Sequence, residues 1–130
     1  MTTQEILEAA RGAKTAVALS DSGTRDSALL GMADALCAPE SMDAILAANA
    51  EDMAAAKGRI SDVMLDRLAL TPQRIEAMAK GIRDVAALPD PVGRVLSHIE
   101  RPNGLVIEKT AVPMGVIAII YESRPNVTSD

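Results

Sequence analysis

The chain has 130 residues, a formal net charge of −5 and a hydrophobic fraction of 48%. Its isoelectric point near 4.8 argues against a nucleic-acid groove, which needs clustered Lys and Arg. The lone cysteine, Cys37, excludes an intrachain disulfide, and the lone histidine, His98, argues against a metal centre. The N-terminus does not read as a signal peptide, and the longest uncharged apolar stretch, Val112 to Tyr121, is far short of the roughly 20 residues of a membrane span. These features predict a soluble, cytoplasmic protein.

The first two-thirds of the chain has the apolar spacing of amphipathic helices. Thr2 and Glu5 have the spacing of a capping box, and Thr71-Pro72 combines a cap residue with proline at the first helical position. Gly58 is a natural stop for a helix. We predict five helices, which span residues 2–20, 25–38, 39–58, 61–68 and 72–88. Asn49 interrupts the apolar face of the third helix, which predicts a hydrogen bond from its side chain to a neighbouring loop.

After Gly93 the apolar period changes from that of a helix to that of a strand. Residues 95–100 alternate as a strand does, and residues 105–112 are interpreted as the return strand. Asn103-Gly104 between them is the favoured sequence for a two-residue hairpin loop. We therefore predict an antiparallel hairpin over residues 95–112.

A Pro-x-Gly turn then leads into an apolar run, Val116 to Tyr121, which ends abruptly at polar residues. A run that is apolar at every position favours a strand buried on both faces of a parallel sheet. The polar residues would follow the carboxyl end of that strand, where open α/β sheets bind ligands. Arg124 carries a planar fork of donors suited to carboxylate or phosphate, and Asn126 can present an amide donor to a developing oxyanion.

Two other side chains could take part in chemistry, those of Cys37 and His98, but both are more simply interpreted as structural. Cys37 follows Leu36 in a predicted helix with no His or Lys beside it, which favours a packed and unreactive thiol. His98 lies on a predicted hairpin strand without a second histidine, which favours a solvated or packing role.

From Pro113 to Thr128 the sequence, including the string Tyr-Glu-Ser-Arg-Pro-Asn-Val at 121–127, strongly resembles gamma-glutamyl phosphate reductase, a branch of the aldehyde dehydrogenase superfamily. Residues 88–93, 101–105, 45–52 and 66–68 are also similar to that family. The resemblance implies an α/β fold: a helical N-terminal region (1–94), a β-hairpin arm (95–112) and the first strand of a parallel, Rossmann-like nucleotide-binding domain (113–130). It also implies that the chain is an N-terminal fragment.

In that family the implied reaction is NADPH-dependent reduction of L-glutamate 5-phosphate to L-glutamate 5-semialdehyde and phosphate, in proline biosynthesis. A cysteine of a later domain is the nucleophile, so Cys37 does not correspond to it. The resemblance implies that Tyr121, Glu122 and Ser123 border NADP, that Arg124 binds the substrate and that Asn126 holds the oxyanion. It further implies a homo-oligomer and a glutamate kinase partner, with no nucleic-acid or membrane partner.

Two alternatives remain open at this stage. One is another aldehyde or acyl-phosphate dehydrogenase of the same superfamily. The other is a non-enzymatic helical interaction module with an adaptable surface of methionines, which are Met53, Met64 and Met78. The apolar run at 116–121 argues against the module, because a complete module would not end on a strand that needs burial.

Overall fold

The computed structural model describes residues 2–122 and 124–130. In chain order its elements are α1 (Thr3–Leu19), α2 (Ser22–Cys37), α3 (Pro39–Ala56), α4 (Asp62–Leu68), α5 (Pro72–Ala86), β1 (Val95–Glu100), β2 (Val106–Thr110) and a 3₁₀ turn (Pro125–Thr128). The predicted helical region followed by a β-hairpin is confirmed. Over the described ranges, no helix is long and apolar enough to cross a membrane.

Local signals at the helix ends account for most of these boundaries. At the start of α1, the Thr2 hydroxyl accepts a hydrogen bond from the Glu5 backbone N–H, and the Glu5 carboxylate accepts one from the Thr2 N–H. At the start of α5, the Thr71 hydroxyl accepts from the backbone N–H of Arg74. Both caps satisfy donors that have no partner within the helix.

The break between α1 and α2 is shorter than predicted. The sequence predicted a break at residues 21–23, but α2 begins at Ser22 and contains Gly23. Asp21 therefore lies directly before the first helical residue, where aspartate is strongly favoured. The signal interpreted as a turn is the start of a helix. The predicted stop after α3 is confirmed, since Gly58 has a φ of 78° just beyond the C-cap residue Lys57.

The chain divides into two compact units. Residues 23–87 with 119–130 form the helical unit, and residues 1–22 with 88–118 form the hairpin unit. The division into residues 1–94, 95–112 and 113–130 remains a prediction.

The core of the helical unit lies between α2 and α5. Ala33, Ala79 and Ile82 are buried there, and Leu29, Leu36 and Cys37 pack against them. An ion pair closes the edge of this contact, with the Arg83 guanidinium donating to the Asp34 carboxylate at 2.7 Å. That hydrogen bond raises the pKa of Arg83 above its ordinary value.

Asn49 is the buried polar side chain of this unit and holds the connection between α4 and α5. Its amide nitrogen donates to the Leu68 carbonyl at 2.9 Å, and its amide oxygen accepts from the Leu70 N–H at 2.7 Å. The side chain thus pairs with one backbone group at the last residue of α4 and one just past its end. The predicted hydrogen bond to a neighbouring loop is confirmed.

We expect Asn49→Ala to lower the free energy of unfolding by about 2–4 kcal/mol, because it leaves two backbone groups without partners in a partly buried site. Asn103→Ala is the matched control, since the exposed Asn103 carboxamide accepts one local bond from the Leu105 N–H at 3.2 Å. Urea unfolding followed by circular dichroism measures both changes. Equal stability losses in the two variants would contradict the assigned role of Asn49.

The hairpin has the predicted antiparallel pairing but a different turn. Glu100 pairs with Val106, so residues 101–105 form the loop. Within it the Gly104 N–H donates to the Arg101 carbonyl, and Gly104 has a φ of 83°. The prediction of Asn103-Gly104 as a two-residue loop is therefore wrong. Pro102 and Asn103 occupy the centre of the turn and Gly104 the left-handed position after it, because proline has the φ that the first central position needs.

The apolar run at 116–121 is not a strand in this structure. Residues 111–121 form no helix or strand, and Ile117, Ile119 and Ile120 are 63%, 60% and 99% exposed. A parallel strand forms only against the edge of another strand. Among the described residues, the sheet is limited to β1 and β2, which pair with each other. The run therefore leaves its backbone and its side chains without the partners that its composition favours.

Candidate functional site

The polar stretch after the apolar run folds into a short, self-contained turn. Arg124 is extended and precedes the 3₁₀ turn, and Pro125 fills the first helical position. Tyr121 is tied to that turn, because its hydroxyl lies 2.6 Å from the hydroxyl of Thr128. Within the turn, the Asn126 side-chain N–H donates to the Asp130 carboxylate at 3.0 Å. Local hydrogen bonds thus set the positions of the ring and the amide.

This turn forms one wall of a groove of about 450 Å³ within the helical unit. The other wall is the end of α4, the α4–α5 connection and the first half of α5. Its lining residues are Asp66, Arg67, Ala69, Leu70, Arg74, Ala77, Met78, Pro125, Asn126 and Asp130. The volume lies in the range of small-molecule sites, and charged groups line an otherwise partly apolar surface.

Arg74 fixes the helical wall of this groove. Its guanidinium donates to the carbonyl oxygens of Asp66 and Ala69, and it forms an ion pair with the Asp66 carboxylate at 3.0 Å. Asn49 holds the same connection from its other side. The donors of Arg74 and the charge of Asp66 are therefore committed to the fold.

Unlike Arg74, Arg67 does not use its guanidinium donors to stabilise the fold among the described residues. It lines the groove from the last turn of α4, and its side chain makes no hydrogen bond or ion pair with any residue in 2–122 or 124–130. Arg67 and Arg74 were not singled out as site residues from the sequence. Residues 66–68 belong to the stretches that resemble the family, but nothing in their local pattern indicates a site.

The structure brings only part of the predicted site into this groove. Asn126 lines it, whereas Arg124 is exposed and is not among its lining residues. Tyr121 is about half exposed, and Glu122 is exposed beside it. Ser123 lies outside the described residues. The roles assigned to these five residues remain predictions.

Neither Cys37 nor His98 is among the lining residues of the groove. The Cys37 side chain packs against the α2–α5 core, and the residue is partly buried. His98 is paired across the hairpin with Glu108, whose carboxylate lies 2.9 Å from Nδ1, and Glu100 lies 3.4 Å from Nε2. The described part of the chain contains no group of three or more His, Cys, Asp and Glu side chains suited to a metal ion.

Comparison with known proteins identifies gamma-glutamyl phosphate reductases as relatives. The chain is 60% identical over 127 residues to gamma-glutamyl phosphate reductases of several Streptococcus pneumoniae strains, among them Hungary19A-6 and 70585. That match covers 98% of this chain but only 30% of the length of each relative. No family model matches the chain.

Solved structures give the same result. The crystal structure of gamma-glutamyl phosphate reductase from Thermotoga maritima superposes with a TM-score of 0.91 at 38% identity, covering 97% of this chain and 30% of that one. The Saccharomyces cerevisiae enzyme gives a TM-score of 0.87 at 37% identity, covering 99% and 33%. The resemblance predicted from the sequence is confirmed, as is the predicted helical region with its antiparallel hairpin.

Proposed function

We propose that this chain serves as the corresponding part of a gamma-glutamyl phosphate reductase, which reduces L-glutamate 5-phosphate to L-glutamate 5-semialdehyde and phosphate in proline biosynthesis. The observation that supports this most strongly is 60% identity across 127 residues, which extends along almost the whole chain. Because the chain spans about 30% of those relatives, the activity is proposed for a protein that contains this chain and the regions corresponding to the rest of the enzyme.

Within that enzyme, we assign the turn after the apolar run to the active site. Asn126 lines a groove of substrate size, and its amide is an N–H donor that can shift from Asp130 to an oxyanion. Arg124 is exposed and offers a fork of donors for the phosphate or a carboxylate of the substrate. Both residues would act by binding and orienting charge.

The residues before Arg124 suit the border of a cofactor site. The half-exposed ring of Tyr121 is held by the hydroxyl contact with Thr128 and presents a flat apolar face. We propose that Tyr121, Glu122 and Ser123 border NADP, whose reduced form, NADPH, would supply the hydride.

The chain does not supply the nucleophile of the proposed reaction. Cys37 is its only cysteine, and that side chain packs against Ala33, Ala79 and Ile82. A thiol in an apolar helical core cannot approach an acyl phosphate without disrupting the core. The reaction therefore needs a cysteine from the regions that this chain does not cover in its relatives.

We propose further that the enzyme is cytoplasmic and a homo-oligomer that joins through the hairpin. The hairpin carries exposed apolar side chains on both strands, including Leu96, Ile99 and Val106. Exposed apolar side chains of this kind favour contact with another protein surface. A glutamate kinase partner would deliver the reactive acyl phosphate directly.

A chimera tests the proposed activity. This chain replaces the matching 127 residues of the Streptococcus pneumoniae enzyme, and NADPH formation is followed spectroscopically with L-glutamate 5-semialdehyde, phosphate and NADP. We expect the chimera to turn over within about tenfold of the unaltered enzyme, because the replaced surfaces are 60% identical. The 130-residue chain alone should give no rate above a blank without protein, because its only cysteine, Cys37, packs against the helical core.

Size-exclusion chromatography and thermal unfolding establish that the chimera is folded before it is assayed. A folded chimera without turnover, or turnover by the chain alone, would contradict the proposal. A folded chimera that prefers a different aldehyde would instead favour another dehydrogenase of the superfamily. Replacing NADP by NAD in the same assay measures the cofactor preference.

A further inference from the structure

We propose that the groove beside Asn126 holds the amino-acid end of the substrate, with Arg67 as the group that binds its α-carboxylate; this rests on the proposed function. Arg67 and Asp130 line the same groove as Asn126, and both lie outside the string at 121–127.

The charged side chains of the groove indicate which kind of ligand it can bind. Four charged side chains line it, two positive and two negative. Arg74 and Asp66 neutralise each other through their ion pair, and the donors of Arg74 also hold backbone carbonyls. Among the described residues that line the groove, Arg67 and Asp130 therefore remain to bind charged groups of a ligand, and Asp130 also accepts the bond from Asn126.

Among the residues that the structure describes, the groove thus offers a guanidinium without a partner and a carboxylate that accepts one bond from Asn126, and this pair fits a zwitterion. An α-amino acid carries a carboxylate and an ammonium group on the same carbon, and guanidinium binds carboxylate through a planar pair of donors. Asp130 would take the ammonium group. A dianion such as free phosphate fits less well, because Asp130 would repel it.

The position of Asn126 links this binding to the proposed chemistry. Its amide lies in the groove beside Asp130, and the same amide is the proposed donor to the oxyanion. A substrate whose amino-acid end occupies the groove would have its reacting carbon close to this donor. Arg124, which is not a lining residue, is then left for the phosphate.

Kinetics of the chimera separate this role from a structural one. We expect Arg67→Gln to raise KM for L-glutamate 5-semialdehyde by about 10- to 100-fold, because a hydrogen-bonded charge pair is lost. Both kcat and the KM for NADP should stay within about twofold, because Arg67 binds only the unreactive end of the substrate. Arg59→Gln is the matched control, since Arg59 is exposed and does not line the groove. Arg67→Lys keeps the charge and should recover part of the affinity.

Asp130→Asn tests the other half of the proposal. The unsubstituted chimera should prefer L-glutamate 5-semialdehyde over 5-oxopentanoate, which lacks the amino group, and Asp130→Asn should reduce that preference by about tenfold or more. An active chimera whose KM is unchanged by Arg67→Gln would overturn the inference and leave the proposed function intact. A folded but inactive parent chimera would overturn both.

Discussion

The 130-residue chain is expected to self-associate through residues 116–121, and a single charge in that run should abolish the association. Val116, Ile117, Ile119, Ile120 and Tyr121 are between 45% and 99% exposed. Burial of side chains of this size stabilises a protein by roughly 1.5–3 kcal/mol each. The exposed run therefore lacks a stabilisation on the order of 10 kcal/mol. That is comparable to the net stability of a whole domain.

The backbone of the run strengthens this expectation. An uncharged segment rich in β-branched residues, with no proline inside it, is the pattern that pairs strand to strand between molecules. Residues 116–121 form no helix or strand and are not part of the hairpin sheet. A second copy of the same run offers both the apolar surface and the hydrogen-bonding edge.

Three variants of the chain distinguish strand pairing through residues 116–121 from non-specific hydrophobic association. Ile119→Lys should convert large species to monomer in size-exclusion chromatography with light scattering. Ile119→Pro should do so as well, since proline removes a donor and fits poorly within a strand. Ile6→Lys changes another half-exposed isoleucine, in α1, and should leave the association unchanged. A monomeric unsubstituted chain with strong exchange protection at 117–120 would contradict the expectation.

The helices could be predicted from sequence because their signals are local. Thr2 with Glu5, Thr71 with Pro72, and Gly58 each act within one turn of chain, and the structure has a helix boundary at each. The error at Asp21-Ser22-Gly23 has the same origin, since these residue types favour both turns and helix starts. The hydrogen bond of the Asn49 side chain could also be predicted, because a polar residue in an apolar stripe needs a partner.

Features that depend on distant residues could not be predicted in this way. The apolar run was interpreted as a strand from composition, but a strand needs an edge that its own sequence does not contain. The groove joins the end of α4 to the turn at 125–128, and no local pattern relates Arg67 to Asn126. The hairpin turn was misassigned because Pro102 and Gly104 together select a loop that Asn-Gly alone does not.

The second large effect concerns Asn126 in the chimeric enzyme. We expect Asn126→Ala to reduce kcat by about 10²–10³-fold, the usual loss when one donor to an oxyanion is removed. Stability should change little, because the amide makes a single exposed hydrogen bond, to Asp130. Asn103→Ala removes an equivalent carboxamide from the hairpin loop and should leave kcat unchanged.

The kcat of the Asn126→Ala chimera is therefore the measurement that tests most directly whether this turn is a wall of the active site. We expect a loss of about 10²–10³-fold with an unfolding temperature equal to that of the parent chimera. A folded Asn126→Ala chimera with the kcat of its parent would contradict it and would place the chemistry elsewhere.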